Sequence, residues 1–310
     1  MRILLVVNAF ASSVTARNTV VVHRALSRVG DVEVVETNRR GHATRFAQDA
    51  ARRGVDVVIG YGGDGTLNEV ATGVAGTDTA LGVLPGGSTN VFARTLGMPN
   101  DPVAAVALLA AGIGERTIEP IGLGKVNGRY FCFHTGVGYD AAVVQEVERR
   151  ASLKRWLGHP LFIYASLRTW VSGYDRHQPH FTLEAPGAAP VDGFFTIVLN
   201  TNPYTYLGNR PLDLCPAATL DRGLVTVTFR SLKVGALLGG LGGALKGGGV
   251  KPSDTLDLRT DLAEVEIVTP AGAGVPYQVD GDYLGETERL TFQHVPQAVR
   301  LVRPMLPPAP

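Results

Sequence analysis

The densest group of chemistry-bearing residues is Gly60-Tyr61-Gly62-Gly63-Asp64-Gly65-Thr66-Leu67-Asn68-Glu69, which follows the apolar run Val55–Ile59 and leads into a helical pattern. Glycines let a backbone approach a ligand closely and adopt positive φ, turning successive N–H groups toward phosphate oxygens. A helix N-terminus just beyond adds partial positive charge. Thr66 and Asn68 add hydrogen-bonding side chains. A carboxylate in such a loop is costly beside phosphate unless it works with a metal or takes a proton from a nucleophile, and both tasks belong to phosphoryl transfer. Asp64 is therefore a candidate to orient or deprotonate an acceptor hydroxyl; the structural alternative is an Asp that caps the helix. A second loop, Pro85-Gly86-Gly87-Ser88-Thr89-Asn90-Val91-Phe92-Ala93-Arg94, again runs from a strand toward a helix and offers glycines, hydroxyls and an amide. Its structural alternative is an ordinary glycine turn with a Ser/Thr cap.

Two familiar phosphate motifs do not account for these loops. Residues 60 to 65 satisfy G-x-G-x-x-G, but Asp64 would stand beside the pyrophosphate, and the next strand, Leu81–Leu84, lacks the acidic residue that holds a ribose. No G-x-x-x-x-G-K-[ST] occurs, since Gly124-Lys125 is followed by Val126.

Short β-branched runs alternate with helical patterns over the first 120 residues, the mark of βαβ units and a parallel sheet. Strands are expected at Arg2–Val7, Val32–Glu36, Val55–Ile59 and Leu81–Leu84, and helices at Thr15–Val29, Gly41–Gly54, Asn68–Val74 and Pro102–Ala111. Ligands of open α/β sheets lie at the carboxyl ends of the strands, where Asn8, Thr37 and the two glycine loops fall. Beyond residue 120 the texture turns β-rich, with candidate strands at Lys125–Phe133, Phe181–Glu184, Phe194–Leu199, Val225–Phe229, Leu256–Leu258, Val265–Val268, Tyr277–Val279 and Leu290–Phe292. One helix is expected at Pro160–Ser172. This gives an α/β N-terminal domain, residues 1–120, and an antiparallel β-sandwich, residues 121–295, with the strand-like run Ala298–Val302 in the segment 296–310 returning to the first domain. The Pro-rich tail Pro304–Pro310 should fray.

The chain is long enough for two cores at roughly 100–200 residues per domain. Its 29 Lys+Arg against 28 Asp+Glu leave a net charge of +1, so no global field holds nucleic acid. A hydrophobic fraction of 45% with 18% charged residues excludes wholesale disorder. Cys132 and Cys215 lie far apart with no ligand spacing, which argues against a disulfide framework or structural zinc and fits a reducing, cytoplasmic setting. The apolar start Ile3–Val7 is too short for a secretory signal, being interrupted by Asn8, and no run reaches the roughly 20 residues of a membrane span.

At its two loops the sequence resembles the diacylglycerol kinase catalytic-domain family of bacterial lipid kinases, relatives of sphingosine and ceramide kinases. Gly62-Gly63-Asp64-Gly65-Thr66-Leu67-Asn68-Glu69 is similar to the family's nucleotide motif, Pro85–Arg94 to its second loop, and Asp280-Gly281-Asp282 to its C-terminal D-G-E. The G-G-D-G-T element is shared with NAD kinases. The resemblance implies a diacylglycerol kinase-like and NAD kinase-like fold and an ATP-dependent enzyme that phosphorylates a hydroxyl of diacylglycerol or a similar lipid. Its implied nucleotide contacts are Asn8, Thr37, Gly62, Gly63, Asp64, Gly65, Thr66, Leu67, Asn68 and Ser88, with Asp280 acting through nucleotide-bound Mg²⁺. Its implied acid/base groups are Asp64 and Asp282, and its substrate contacts are Asn90 and Asp140. The family's G-T-G-N-D reads here Gly87-Ser88-Thr89-Asn90-Val91, without the final Asp, and its glutamate is shortened to Asp282. Where some members bind a structural Mg²⁺ through D-D-G, this chain has Asp221-Arg222-Gly223, and a cation cannot ligate a metal.

A lipid acceptor implies contact with the inner face of a membrane, for which the leucine stripe of Val234–Leu245 and the basic-aromatic Leu153-Lys154-Arg155-Trp156-Leu157 are candidates. Core packing is their alternative. An NAD kinase, and a nucleotide- or lipid-binding protein without catalysis, are the competing readings. Composition leaves the oligomeric state open, a homodimer included.

Overall fold

The computed structural model describes residues 1–148, 175 and 177–306. The expected helix Pro160–Ser172 and the segment Leu153–Leu157 lie outside the described residues, as does the end of the Pro-rich tail. The chain divides into two compact units, Met1–Gly122 with the segment from Gln297 onward, and Leu123–Pro296.

The first unit alternates β1 (Arg2–Val7), α1 (Ala16–Leu26), β2 (Asp31–Glu36), α2 (His42–Arg52), β3 (Val57–Gly62), α3 (Asp64–Val74) and β4 (Ala80–Pro85), followed by α4 (Val91–Thr95) and α5 (Pro102–Gly114). The strands stand in the order β2-β1-β3-β4, all parallel, and Arg300 and Leu301 near the C-terminus pair in parallel with Ala80 and Leu81 on the far side of β4. β3 and β4 are buried at every position, as central parallel strands covered by helices on both faces must be. Thr15 caps α1 by accepting the Asn18 N–H at 3.1 Å, and Asp101 caps α5 by accepting that of Ala104 at 2.8 Å.

Two expectations shift here. The helix placed at Asn68–Val74 begins at Asp64, because the glycine motif itself winds into the first turn, and β3 extends to Gly62. The helix expected after the second loop, whose bounds the sequence leaves open, is the five-residue α4, too short to show a periodicity.

In the second unit, β5 (Ile118–Val126), entered from the first unit, pairs with β6 (Arg129–Phe131). Then come β7 (His134–Gly138), α6 (Tyr139–Glu148), β8 (Phe181–Glu184), β9 (Val191–Gly193), β10 (Phe195–Leu199), the small hairpin β11 (Thr205–Leu207) and β12 (Arg210–Leu212), β13 (Leu224–Phe229), α7 (Val234–Leu245), β14 (Leu256–Leu262), β15 (Glu264–Val268), β16 (Val275–Val279), β17 (Asp282–Thr287) and β18 (Arg289–Val302). Six strands form an antiparallel sheet in the order β14-β13-β10-β7-β16-β17, and β18, β15, β8 and β9 form an antiparallel run. A core containing Phe131, Val137, Phe181, Val198, Ile267 and Phe292 packs strands from these two layers together. A second apolar cluster, including Phe195, Ile197, Val227 and Phe229, occupies the other face of the six-stranded sheet.

The Asp280-Gly281 turn was expected between Tyr277–Val279 and Leu290–Phe292. It instead joins β16 to β17, with Val279 opposite Asp282. Positive φ at both Asp280 (48°) and Gly281 (83°) is what a two-residue hairpin loop of the favoured hand requires. The segments Leu290–Phe292 and Ala298–Val302 are one strand, β18. Among the described residues no helix is long and apolar enough to cross a membrane.

Candidate active site

The two glycine loops of the first unit leave the carboxyl ends of adjacent strands, β3 and β4, and lie against each other. The Gly86 N–H donates to the Gly62 carbonyl at 2.8 Å. A Cβ on Gly86 would stand 2.8 Å from the Gly62 Cα, and one on Gly87 2.8 Å from the Gly63 Cα. None of the loop glycines at 62, 63, 65, 86 and 87 has positive φ; close approach of backbone to backbone is what demands Gly86 and Gly87, and a Cβ on Gly62 would meet the Thr66 side chain. The first-turn N–H groups of α3, at Asp64 and Gly65, are those for which a helix provides no acceptor of its own. A helix N-terminus at a strand's carboxyl end is a place that suits an anion.

Asn8, at the end of β1, ties the cradle together. Its amide donates to the Thr66 hydroxyl at 3.0 Å and its oxygen accepts the Phe10 N–H at 3.1 Å. Thr66 and Asn68 are buried, as is Thr37, which follows β2. Ser88 is exposed at the tip of the second loop. Leu67, expected among the nucleotide contacts, sits fully in the core, where its side chain packs over Gly60. Asn90, expected at the substrate, is also fully buried: its amide oxygen accepts the Gly87 N–H at 2.8 Å and its NH₂ donates to the Gly87 carbonyl and to Asn100. It builds the loop from within, adopting the left-handed conformation (φ 50°) that starts α4.

Asp64 is placed at the first position of α3 with its carboxylate turned to the N-terminus of α4, accepting the N–H of Val91 at 3.0 Å and of Phe92 at 3.1 Å. It is thus a cap, though of the neighbouring helix. Sequence reasoning missed a parallel contact: Glu69, one and a half turns along α3, accepts the N–H of Gly41 at 2.7 Å and of Ala43 at 3.0 Å at the start of α2. The signal was available in the lack of any Ser, Thr, Asp or Asn at the first position before α2.

In the second unit Asp280 is buried, and its carboxylate accepts three backbone N–H groups, those of Cys132 (2.7 Å), Phe133 (3.0 Å) and His134 (3.1 Å). The sequence expectation put Asp280 at nucleotide-bound Mg²⁺; in the structure both of its oxygens accept backbone N–H groups and so brace the chain at residues 132–134. Among the described residues no group of three His, Cys, Asp or Glu side chains is placed to hold a metal. Asp282 lies two residues on, partly exposed at the head of β17, with its carboxylate 3.6 Å from the Arg129 guanidinium.

Asp140 opens α6 and stands under β7 and β16. Its carboxylate accepts from the Tyr204 hydroxyl at 2.5 Å and from the Gln278 amide at 2.9 Å. Gly136 makes room for it, since a Cβ there would fall 1.6 Å from the carboxylate oxygen. Burial pushes the Asp140 carboxyl above the usual carboxylate range, opposed by these two hydrogen bonds. Burial and the neighbouring Asp140 charge push the Tyr204 hydroxyl well above its ordinary value, which keeps it a donor. The Tyr204 ring lies 4.5 Å from that of His134, whose pKa burial pushes down to about 3. Tyr139, Tyr204 and Leu237 border the apolar cluster containing the stacked rings of Phe195 and Phe229, 4.2 Å apart. A polar trio thus meets an apolar wall.

Comparison with known proteins identifies the family and the fold. Residues 2–126 match the family model for the diacylglycerol kinase catalytic domain. A Pseudomonas aeruginosa (strain PAO1) protein named "Probable lipid kinase YegS-like" is 30% identical over 296 residues, 95% of this chain and 91% of the relative. A Bacillus subtilis (strain 168) protein named "Diacylglycerol kinase" is 41% identical over 125 residues, 39% of each chain. The crystal structure of a diacylglycerol kinase from Bacillus anthracis str. Sterne is 20% identical, covers 97% of this chain and 96% of that one, and superposes with a TM-score of 0.71, a likeness of fold. With 95% of its length matched by a relative at 30% identity, and its motif-bearing unit matched by the family model, the chain belongs to the diacylglycerol kinase catalytic-domain family of lipid kinases.

Proposed function

We propose that this protein transfers the γ-phosphate of ATP to a hydroxyl of diacylglycerol or a closely similar lipid. The observation that carries the reading is the pair of glycine loops packed backbone to backbone at the ends of β3 and β4, a cradle in which any side chain at Gly86 or Gly87 would collide with the opposite loop. Such a cradle suits a polyphosphate tail, with Asn8, Thr37, Thr66, Asn68 and Ser88 around it. On the second unit, the Asp140–Tyr204–Gln278 trio beside an apolar wall suits an acceptor with a hydroxyl-bearing head and acyl chains.

In the transfer, the acceptor oxygen forms a bond to the γ-phosphorus, the bond from that phosphorus to the bridging oxygen breaks, ADP leaves, and the hydroxyl proton passes to a carboxylate. We assign that proton to Asp282, which is partly exposed. Asp64, with both oxygens engaged by N–H groups of α4, holds the second loop against the first. Mg²⁺ would supply charge neutralisation to the nucleotide phosphates in such a reaction.

The test is incubation of the full chain with radiolabelled ATP against diacylglycerol, monoacylglycerol, sphingoid bases, ceramide, polyprenols and NAD. Label in a diacylglycerol product is the expected result. Label only in NAD makes the protein an NAD kinase, and nucleotide binding without any labelled product makes it a binding protein.

A further inference from the structure

Helix α2 begins without a cap of its own. Gly41, the residue before it, has no side chain, and its φ of +81° is a left-handed conformation that glycine adopts freely. The orphan N–H groups at this end are served from another element: the Glu69 carboxylate, on α3, takes Gly41 with one oxygen and Ala43 with the other. The Thr44 hydroxyl donates to the Glu69 carbonyl at 3.0 Å, fixing the same two helices a second time. Glu69 is the last residue of the G-G-D-G-T-L-N-E motif, and the segment it grips, Thr37-Asn38-Arg39-Arg40-Gly41-His42-Ala43, carries Thr37 and two arginines from the end of β2. Arg39 Nε and His42 Nε2 are 2.6 Å apart within that segment, so its turn is internally braced as well as clamped.

The arrangement joins the third strand end to the other two. Asp64 at the start of α3 fixes the second glycine loop and Glu69 fixes the Thr37–Ala43 segment, so one helix sets the positions of both. We infer that Glu69 is a positioning residue for the nucleotide: its carboxylate locks the Thr37–Ala43 segment in the geometry that receives the phosphate tail, and the affinity for ATP depends on that lock while the transfer step does not. This rests on the nucleotide reading given above. A carboxylate is needed because two N–H groups must be accepted by two separate oxygens, and an amide offers one oxygen only.

The experiment compares wild type, Glu69→Gln and Glu69→Ala in the full chain, with KM for ATP, KM for lipid and kcat measured separately, ATP binding measured by calorimetry, and amide hydrogen exchange followed over residues 37–44. The expected result for Glu69→Gln is a rise of about 10-fold in the KM and Kd for ATP, the size of one lost charge-assisted hydrogen bond. The KM for lipid and kcat stay within about 2-fold, and exchange of the 37–44 segment accelerates. Glu69→Ala extends the same trend. Should Ala fail to fold, Gln, which keeps shape and one acceptor, carries the test. An unchanged ATP affinity in folded Glu69→Gln overturns the inference while leaving the kinase reading intact, and so does an equal loss in every kinetic parameter. A wild-type chain that binds no ATP overturns both.

Discussion

The carboxylate of Asp64 accepts the backbone N–H of Val91 at 3.0 Å, and with it that of Phe92 at 3.1 Å. The first residue of α3 is therefore the cap of α4, whose own preceding residue, Asn90, makes no side-chain cap and is instead spent inside its loop. A single negative charge placed at the opening of a neighbouring helix is stabilising there, and it fixes the spacing between the two glycine loops. The carboxylate that looks from sequence like an acid/base group is thus also a strut.

Asp64→Asn is expected to lose one of the two N–H contacts, because the amide oxygen can serve only one and the NH₂ faces the other. Stability should fall by about 1–2 kcal/mol in a urea titration, and KM for ATP should rise. Asp282→Asn should instead lower kcat by about 100-fold with little change in KM for ATP. If Asp64→Asn keeps wild-type stability and affinity while kcat alone collapses, the strut and the proton acceptor have been assigned the wrong way round.

Asp280→Ala removes the carboxylate that accepts three buried backbone N–H groups, at Cys132, Phe133 and His134. The loss should be about 3 kcal/mol or more, read as a lower urea midpoint. Asp280→Asn recovers part of it. A midpoint unchanged in Asp280→Ala, with activity abolished, would move Asp280 from the scaffold to the chemistry.

The parallel order of the first unit was legible because β1, β3 and β4 are continuous apolar runs that end in polar or glycine residues, which places the crevice without any knowledge of packing. What the glycines do there was legible only in part. Positive φ was a fair expectation for them, yet none has it, and Gly86 and Gly87 are needed for a backbone contact with residues more than twenty positions away, which local sequence does not encode. β7 was not among the expected strands for a related reason: His134-Thr135-Gly136-Val137-Gly138 carries two glycines in five residues, and the one at 136 makes room for the Asp140 carboxylate, a tertiary demand. The carboxylates at positions 64, 69 and 280 could be recognised as candidates by type, but their partners are backbone N–H groups, which every residue carries and no motif marks.

His134 makes stability depend on pH in a definite direction. In the folded chain burial lowers its pKa to about 3, whereas the unfolded chain takes the proton near the usual 6.5. Between those values the unfolded state binds more protons, so the contribution is fully present above about pH 6.5 and is lost as the pH falls toward 3. His294, also lowered by burial, acts in the same sense. His134→Phe should remove up to about 1.4 kcal/mol per pH unit of that slope, seen by comparing urea midpoints of variant and wild type from pH 7 to pH 4. Parallel curves for the two proteins would show that the ring takes its proton in the folded chain as readily as in the unfolded one.

Tyr61 offers a stabilising substitution. It lies on β3 directly before the first glycine loop, is fully buried, and its hydroxyl has no hydrogen-bond partner. Burial, with a smaller effect from Asp101, pushes its pKa up to about 12, so the hydroxyl stays neutral and unsatisfied. Tyr61→Phe removes only that oxygen, keeps the ring volume, and relieves a desolvation penalty of about 1–3 kcal/mol against loss of a few atomic contacts. The expected net is a gain of about 1 kcal/mol, a rise of a few degrees in Tm for a chain of this size. Catalysis discriminates what the oxygen is for. With Tyr61 purely structural, kcat and KM for ATP remain at wild-type values in the more stable protein. A lower Tm, or a KM for ATP that rises with Tm unchanged, would show that the hydroxyl is held in reserve for the nucleotide.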